Sequence, residues 1–408
     1  IGCGAGTQTD GGAAAQGPVT VEIMHTQDDW VPIWKQFEAM HPTVTLNPTI
    51  IKWGEMMEKM LTLAAGDSLP DVSYIHPQFQ PDFVSGGVLR DLNPLIAKDK
   101  AVKPDDFFPG VLDFYRPKGT TRGLPFYSGP TMFFYNKTIF QRYGIKDPNL
   151  YEKEGKWTWD TFLEVSRQLT RGEGPEKTFG YQGTNSQLVW NAMWVWMNGG
   201  VLWDEAETTF RMHEAPAAEA IQFQADMLTR HRVQPNDEEK KELPGGFLAG
   251  RTGLYPYGKG YARGVEEAGT MDPGICPVPK GKAGRVTRDG PGAVGVTPTS
   301  KHPDVAFTLV KYMTGPGGQE PYLALGGSNP VRKSMANAKE YLSALLPWED
   351  KAVYEDASKS VHPMIYPGGF GEIEKLWQTA RKEILGGAAA KDALLAIKPA
   401  VDSVLQAH

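Results

Sequence analysis

Residues 19–75 alternate between the two-residue hydrophobic repeat of a strand and the repeat of about 3.6 residues of a helix. VTVEIM at residues 19–24 has the period of a strand, and residues 30–40 then carry apolar side chains at helical spacing. The same order returns with a strand pattern at 43–51, a helix pattern at 54–67 and a strand pattern at 70–75. Strands separated by such helices pair in parallel through right-handed crossovers. The sequence therefore predicts an α/β fold with a doubly wound sheet, whose ligand crevice lies at the carboxyl ends of the strands.

The rest of the chain predicts a second lobe. Glycines and prolines interrupt residues 122–140 before an apolar strand resumes, which indicates a crossover between lobes. Further predicted elements are helices at 157–170, around 188–197, at 215–230 and at 301–315, and short strands within 250–262, 273–285 and 290–298.

Composition excludes several classes of protein. The chain has 408 residues, of which 40% are apolar and 22% charged, so it is long enough for two or three domains with substantial cores. The net charge is −6, and no cluster of Lys and Arg provides the footprint of nucleic-acid binding. The eight His residues fall in no metal-ligand spacing, and no cofactor motif is found.

Residues 185–203 contain four of the eleven tryptophans. A membrane span needs roughly 20 consecutive apolar residues, and this stretch is interrupted by Asn191 and closed by Asn198. A core helix and a platform on which a flat-faced ligand stacks both remain compatible with the pattern. We expect one indole of the set to meet the ligand and the others to pack in the second lobe.

The two cysteines have different predicted roles. Cys276 lies in PGICPVPK and is expected to be a small buried hydrophobe. Cys3 is followed by GAGTQTDGGAAAQGP, which is typical of an acylated lipoprotein cysteine with a flexible tether. The alternative for Cys3 is a chance cysteine near the end of the sequence.

Several stretches together resemble the extracytoplasmic solute-binding proteins of ABC importers, in the carbohydrate-binding branch that includes maltose-binding protein. The resemblance spans roughly residues 19–405 and rests on the number, order and spacing of these stretches. They are VTVEIM with FEAMHPTVTL, LAAGDSLPDVSYI, VLRDLNPLI, GLPFYSGPTMFFYNKTIFQRYGI, WTWDTFLEVSRQLT, FLAGRTGL, PVPKG, KHPDVAFTLVKYMTG and GSNPVRKS.

The resemblance implies a two-lobed periplasmic-binding-protein fold (type II), in which each lobe is a mostly parallel sheet flanked by helices and the ligand cleft lies between the lobes. It divides the chain into a tether at 1–18, a first lobe at 19–125 and 300–346, a second lobe at 130–297 and 350–405, and hinges near 127–131, 297–300 and 346–349.

It also implies that sugar contacts come from loops that face the cleft. On the matching loops the candidates are His25, Asp28, Trp30, His76, Gln78, Tyr127, Ser128, Asn185, Gln187, Trp190, Trp194, Tyr257, Lys259, Asp289, Gly290, Arg332, Tyr366, Phe370 and Glu372. Some have structural alternatives: Asp28 as a helix N-cap, Tyr127 and Ser128 as a hinge turn, and Arg332 as a surface ion pair.

The function implied is reversible binding of a mono- or oligosaccharide and its delivery to membrane permease subunits, by a monomer outside the cytoplasm that is held to the membrane by its lipid. The alternative from another class of protein is a glycoside hydrolase, an enzyme.

Hydrolysis of a glycosidic bond needs two carboxyl groups about 5–9.5 Å apart, and no segment of the sequence singles out such a pair. A polyamine or another non-sugar solute is the alternative within the binding class.

Overall fold

The computed structural model of the protein describes residues 17–108, 110–183, 186–242 and 245–407. Within these ranges the strands form two sheets. In chain order the strands are β1 (Val19–His25), β2 (Val44–Ile50), β3 (Val72–Ile75), β4 (Leu124–Tyr127), β5 (Met132–Asn136), β6 (Phe179–Tyr181), β7 (Thr252–Tyr257), β8 (Pro273–Cys276) and β9 (Gly292–Val296).

The α-helices cover both sheets. In chain order they are α1 (Val31–Met40), α2 (Met56–Ala65), α3 (Gln80–Ser85), α4 (Asn93–Lys98), α5 (Lys137–Arg142), α6 (Pro148–Lys153), α7 (Trp159–Leu169), α8 (Leu188–Met197), α9 (Ala215–Thr229), α10 (Asp237–Glu242), α11 (Ala262–Ala268), α12 (Pro303–Thr314), α13 (Pro316–Ala324), α14 (Lys339–Ser343), α15 (Lys351–Lys359), α16 (Phe370–Leu385) and α17 (Ala390–Ala407).

Each sheet is mostly parallel with one reversed strand. The first has the order β2-β1-β3-β9-β4, in which β1 runs parallel to β2 and β3, while β9 runs antiparallel to both β3 and β4. The second has the order β6-β7-β5-β8, in which β5 runs antiparallel to its two neighbours. Two such sheets flanked by helices confirm the predicted two-lobed α/β fold.

The reversed strands are the ones that follow a crossing between sheets. β4 ends in the first sheet and β5 begins in the second, and β8 ends in the second sheet and β9 begins in the first. A chain that arrives from the other lobe enters its new sheet at the edge where the parallel strands end. It must therefore run against them.

The second crossing differs from the predicted boundaries. Residues 130–297 were assigned to the second lobe, but β9 pairs with β3 and β4 of the first sheet. The predicted hinge near 297–300 lies inside the first lobe, where Thr297 Oγ1 donates to Pro70 O at 2.6 Å and Ser300 Oγ donates to Asp71. Short strands punctuated by glycine look alike in sequence, and pairing partners far apart in the chain decide the lobe.

A third crossing follows α14. Helix α12 packs on β9 and β4 of the first sheet, whereas α15 packs on β5 of the second. Val353 and Tyr354 of α15 share an apolar cluster with Met132 and Phe134 of β5. The chain returns to the second lobe between α14 and α15, a stretch that includes the predicted hinge at 346–349.

The tryptophan-rich stretch forms α8, which is almost wholly buried. Trp194 is 2% exposed and lies 5.3 Å from Trp159 and 5.7 Å from Phe162 between ring centres, whereas Trp190 is only half-buried. Trp194 is therefore a core residue. In the described part of the chain no helix is long and apolar enough to cross a membrane.

We expect Trp194→Ala to lower the free energy of unfolding by about 3–5 kcal/mol, because it removes a large buried ring and leaves a cavity. Urea denaturation measures the change. Leu395→Ala on α17, where the side chain is 47% exposed, is the control and should change stability by less than about 1 kcal/mol. A Trp194→Ala protein as stable as this control would contradict the assignment of Trp194 to the core.

Candidate functional site

The chain crosses between the two sheets at the edge where the first sheet's parallel strands end. β1 ends at His25, β3 is followed by His76 and β4 ends at Tyr127. The reversed strand β9 begins at the same edge, one residue after Asp289 and Gly290. A Cβ on Gly290 would lie 3.2 Å from His76 Nε2, so these loops converge. This edge is where ligands of open α/β sheets bind.

The layer beneath this edge is a cluster of aromatic rings. His25 is fully buried, with its ring centre 5.1 Å from that of Tyr74 and 5.4 Å from that of Phe126. Trp30 is also fully buried and stacks on Tyr322 at 4.6 Å. Neither His25 Nε2 nor Trp30 Nε1 has a hydrogen-bond partner among the described residues. His25 and Trp30, both predicted to contact the ligand, are therefore buried beneath the loops of this edge and are not exposed to the cleft.

The loop after β3 lies closer to solvent. His76 and Gln78 are half-buried, and the backbone N–H of Gln78 donates to His76 Nδ1 at 3.3 Å. Burial, with a smaller contribution from the charge of Arg288, lowers the pKa of His76 to about 3. His76 is therefore neutral at physiological pH, and because Nδ1 accepts from Gln78, its Nε2–H remains as a hydrogen-bond donor.

Trp53 is a residue that the sequence analysis missed. It lies in a short 3-10 turn after β2, at the same edge, and is 45% exposed. Its ring packs against His76, with 5.5 Å between ring centres, and against Phe79 at 4.8 Å. An indole held in this way on one side leaves its other surface open to a ligand.

The second lobe presents a stack of aromatic rings to the same region. Trp190 stacks on Tyr257 at 5.4 Å, and Tyr257 stacks on Tyr255 at 5.8 Å. Tyr257, at the end of β7, is 36% exposed. Parallel rings of this kind form a rigid apolar surface.

Arg288, which precedes Asp289, lies between the loops of the first lobe and the aromatic rings of the second lobe. Its guanidinium carbon lies 4.1 Å from the centre of the Trp190 ring. Its charge opposes the rise in pKa that burial causes in the neighbouring Tyr366, which is itself buried. Phe370 lies behind Tyr366 with 4.8 Å between ring centres. Although it is adjacent to a predicted residue, Arg288 was not selected from the sequence.

Other candidates bind protein atoms instead of facing open space. Asp289 is buried and accepts hydrogen bonds from Ser128 Oγ at 2.6 Å and from the backbone N–H groups of Gly129 at 3.0 Å and Gly290 at 2.7 Å. Burial raises its pKa, and these bonds oppose that shift. Asp289 and Ser128 therefore tie the second crossing to the first.

Lys259 is likewise engaged within the protein. Its Nζ lies 2.8 Å from Glu349 Oε1, and both side chains are fully buried. Burial lowers the pKa of Lys259, and the carboxylate partly offsets this. The pair joins the loop after β7 to the third crossing.

Arg332 is an anchor of the first lobe and is not a surface ion pair. It is 4% exposed, and it donates to the carbonyl oxygens of Thr314 at 2.6 Å and Val102 at 2.9 Å. It also pairs with Asp106 at 3.4 Å. These partners occupy its guanidinium inside the fold.

The remaining candidates are peripheral or outside the description. Asp28, Gln187 and Glu372 are exposed, and the carbonyl of Asp28 accepts a hydrogen bond from Val31 N as α1 begins. Asn185 and the predicted lipidation residue Cys3 lie outside the described residues. Within the described ranges, no group of three or more His, Cys, Asp and Glu side chains is arranged to hold a metal ion.

A family model described as bacterial extracellular solute-binding protein matches residues 8–320. The chain belongs to this family. A putative binding protein of Brucella abortus is 24% identical over 368 residues, which are 88% of this chain and 85% of the relative. The arabinooligosaccharide-binding protein of Bacillus subtilis is 24% identical over 53% of this chain and 46% of its own length.

Solved structures of such proteins share the fold. The cyclic alpha-maltosyl-1,6-maltose binding protein of Arthrobacter globiformis has a TM-score of 0.82 at 22% identity, with 96% of this chain and 100% of that chain covered. These findings confirm the predicted family and its two-lobed fold. The family places this solute-binding protein outside the cytoplasm.

We expect the stability of this solute-binding protein to fall between pH 7 and pH 5, partly because of His25. Burial lowers the pKa of His25 from 6.5 to about 3, so the unfolded chain takes up a proton that the folded protein does not. The stabilisation is complete above about pH 6.5 and is lost as the pH falls towards 3. Urea denaturation at both pH values should show a loss about 2 kcal/mol larger in the wild type than in His25→Asn. Equal losses in the two proteins would show that His25 titrates normally.

Proposed function

We propose that this solute-binding protein is the substrate-binding component of an ABC importer, which binds a mono- or oligosaccharide between its lobes and delivers it to membrane permease subunits. The observation that carries the proposal is the pair of exposed aromatic surfaces at one edge, Trp53 from the first lobe and Tyr257 on Trp190 from the second. The names of the relatives, which bind arabinooligosaccharides and a cyclic maltosyl-maltose, support a sugar ligand.

Sugars need both surfaces and hydrogen bonds. Aromatic rings cover the C–H faces of a pyranose, and each hydroxyl both donates and accepts. His76, Gln78 and Arg288 are half-buried polar groups beside the rings. A buried polar group without a partner costs about 1–3 kcal/mol, and this cost lets such a cleft distinguish sugar epimers.

The lobe boundaries follow from the crossings. We place the first lobe at about 19–127 and 291–346 and the second at about 130–288 and 350–405, with hinges at the crossings after β4, before β9 and after α14. Domains that are connected in this way close around a ligand by hinge motion. The ligand drives closure only by the amount that it binds the closed form more tightly.

Binding without catalysis fits the state of Asp289, the buried carboxylate at the second crossing. Asp289 is buried and already accepts hydrogen bonds from Ser128, Gly129 and Gly290, so it is not placed to protonate a glycosidic oxygen or to attack an anomeric carbon. The Arg288 cation disfavours a polyamine, which needs acidic partners.

We further propose that Cys3 carries the lipid that holds the protein to the membrane and that the protein acts as a monomer. The tether sequence after Cys3 supports the first of these statements. Mass spectrometry of the protein from membranes would detect the acyl chains, and a Cys3→Ser variant released into solution is the matched control.

Calorimetric titration with a panel of mono- and oligosaccharides tests the main proposal. We expect at least one saccharide to bind and to be recovered unaltered by chromatography. A panel in which no saccharide binds would contradict a sugar ligand. Recovery of a shortened glycan would favour a hydrolase instead.

We expect Trp53→Ala and Tyr257→Ala each to weaken the affinity for that saccharide about tenfold or more, because each removes a stacking surface. Tyr312→Ala is the control, since Tyr312 packs on Phe37 in the first lobe, away from the cleft edge. It should leave the Kd unchanged. If all variants bind as the wild type does, the ligand does not contact these rings.

A further inference from the structure

Arg288 differs from two other guanidinium groups that the structure buries in the lobes. Arg285 hydrogen-bonds with Glu152 and, at 2.8 Å, with Asp356, and Arg332 pairs with Asp106. For Arg288, among the residues that the structure describes, no carboxylate lies within ion-pair distance of the guanidinium. A charge in a partly buried site without a counter-ion is costly.

The carboxylates of Asp289, beside Arg288, and of Glu374, near Tyr366, already accept hydrogen bonds from other groups. Asp289 accepts its hydrogen bonds from the first crossing and from Gly290. Glu374 accepts from Leu188 N at 3.0 Å and from Gln378 Nε2 at 2.7 Å, where it caps the start of α8. Both are held by donors other than Arg288. The Arg288 charge influences Asp289, but the two groups do not form an ion pair.

The surroundings hold the guanidinium in place without removing its charge. The guanidinium carbon lies over the Trp190 ring, 4.1 Å from its centre, and the buried Tyr366 is near enough for the Arg288 charge to lower its pKa. A ring stacked on the face leaves the N–H edge of a guanidinium available to a ligand. His76, whose ring nitrogen also lies beside Gly290, is neutral at physiological pH.

We propose that Arg288 makes the cleft selective for a saccharide that carries an anionic group, either a carboxylate or a phosphate ester. A guanidinium binds either group through two parallel N–H···O bonds, which are stronger than bonds between neutral partners. When the lobes close on a neutral sugar, Arg288 loses water without gaining a counter-ion. On an acidic sugar it gains one. This inference rests on the proposed sugar-binding function and names the class of sugar.

Titration calorimetry with matched ligands tests the inference. The panel contains neutral mono- and disaccharides, the uronic acids of the same sugars, and their phosphate esters. We expect the tightest ligand to be acidic and its neutral counterpart to bind at least tenfold more weakly. Comparison of the uronic acids with the phosphate esters identifies the anionic group, and sodium acetate and inorganic phosphate test whether the anion binds without a sugar.

Variants assign the preference to one residue. Arg288→Gln should bind the acidic and the neutral sugar with similar affinity, and Arg288→Lys should keep part of the preference because it keeps the charge but not the fork. Arg167→Gln, which alters an exposed arginine on α7, is the matched control and should bind as the wild type does.

Salt dependence provides a measurement that requires no variant. Raising the salt concentration from about 0.02 M to 0.5 M should weaken the acidic ligand and leave the neutral one nearly unchanged. If neutral sugars bind as tightly as their acidic counterparts, or if Arg288→Gln weakens both equally, the inference is wrong and the sugar-binding proposal stands. If no saccharide of either kind binds, the proposed function itself fails.

Discussion

Two buried carboxylates hold the segments at which the chain passes between lobes. Asp289 joins the second crossing to Ser128 and Gly129 of the first, and Glu349 joins the third crossing to Lys259. A carboxylate without water needs hydrogen-bond donors, and without them burial costs several kcal/mol. The donors therefore fix where the crossing segments run. The positions of the cleft side chains depend on these ties, because Tyr127 and Arg288 are immediate neighbours of the tied residues.

Close backbone contact reinforces the same region. A Cβ on Gly258 would lie 2.4 Å from Gly129 O, so the loop after β7 meets the first crossing with no side chain between them. Glycine is required where two backbones approach this closely. Thr131 N also donates to Arg288 O at 2.8 Å, which links the first and second crossings directly. The two sheets are thus connected by short segments that hydrogen-bond with one another.

Some polar and charged groups near the cleft have hydrogen-bond partners within the protein, and others remain available to a ligand. The second set determines what the cleft can recognise. Lys259, Asp289 and Arg332 have charged or polar partners within the protein, so their role is structural. Trp53, Tyr257 and Arg288 lie partly exposed beside them and keep surfaces or donors for a ligand. The rigid layer of rings around His25 supports this edge from below.

Local pattern was enough to predict the first three strands and the first two helices of the chain and the α/β class, and the order of motifs was enough to predict the family. Residues 19–24 became β1, 70–75 contained β3, and the helix predicted at 30–40 became α1, because alternation and helical spacing report directly on which side chains are buried. The position of the crevice at the carboxyl ends of the strands was likewise predicted from the parallel pairing, and the resemblance to the family selected the loops after β1 and β3.

Tertiary packing decided which aromatic residues at this edge are exposed to a ligand. Trp30 was selected and is buried under Tyr322, while Trp53 was not selected and is exposed. In the same way β9 joined the first sheet, and Arg332 found its acceptors at Thr314 and Val102. By itself the sequence determined the elements, the fold class and the family, because these follow from periodicity and from the order of motifs along the chain. Only the tertiary structure decided which polar and aromatic groups are satisfied inside the protein and which remain for a ligand, because their partners come from distant parts of the chain.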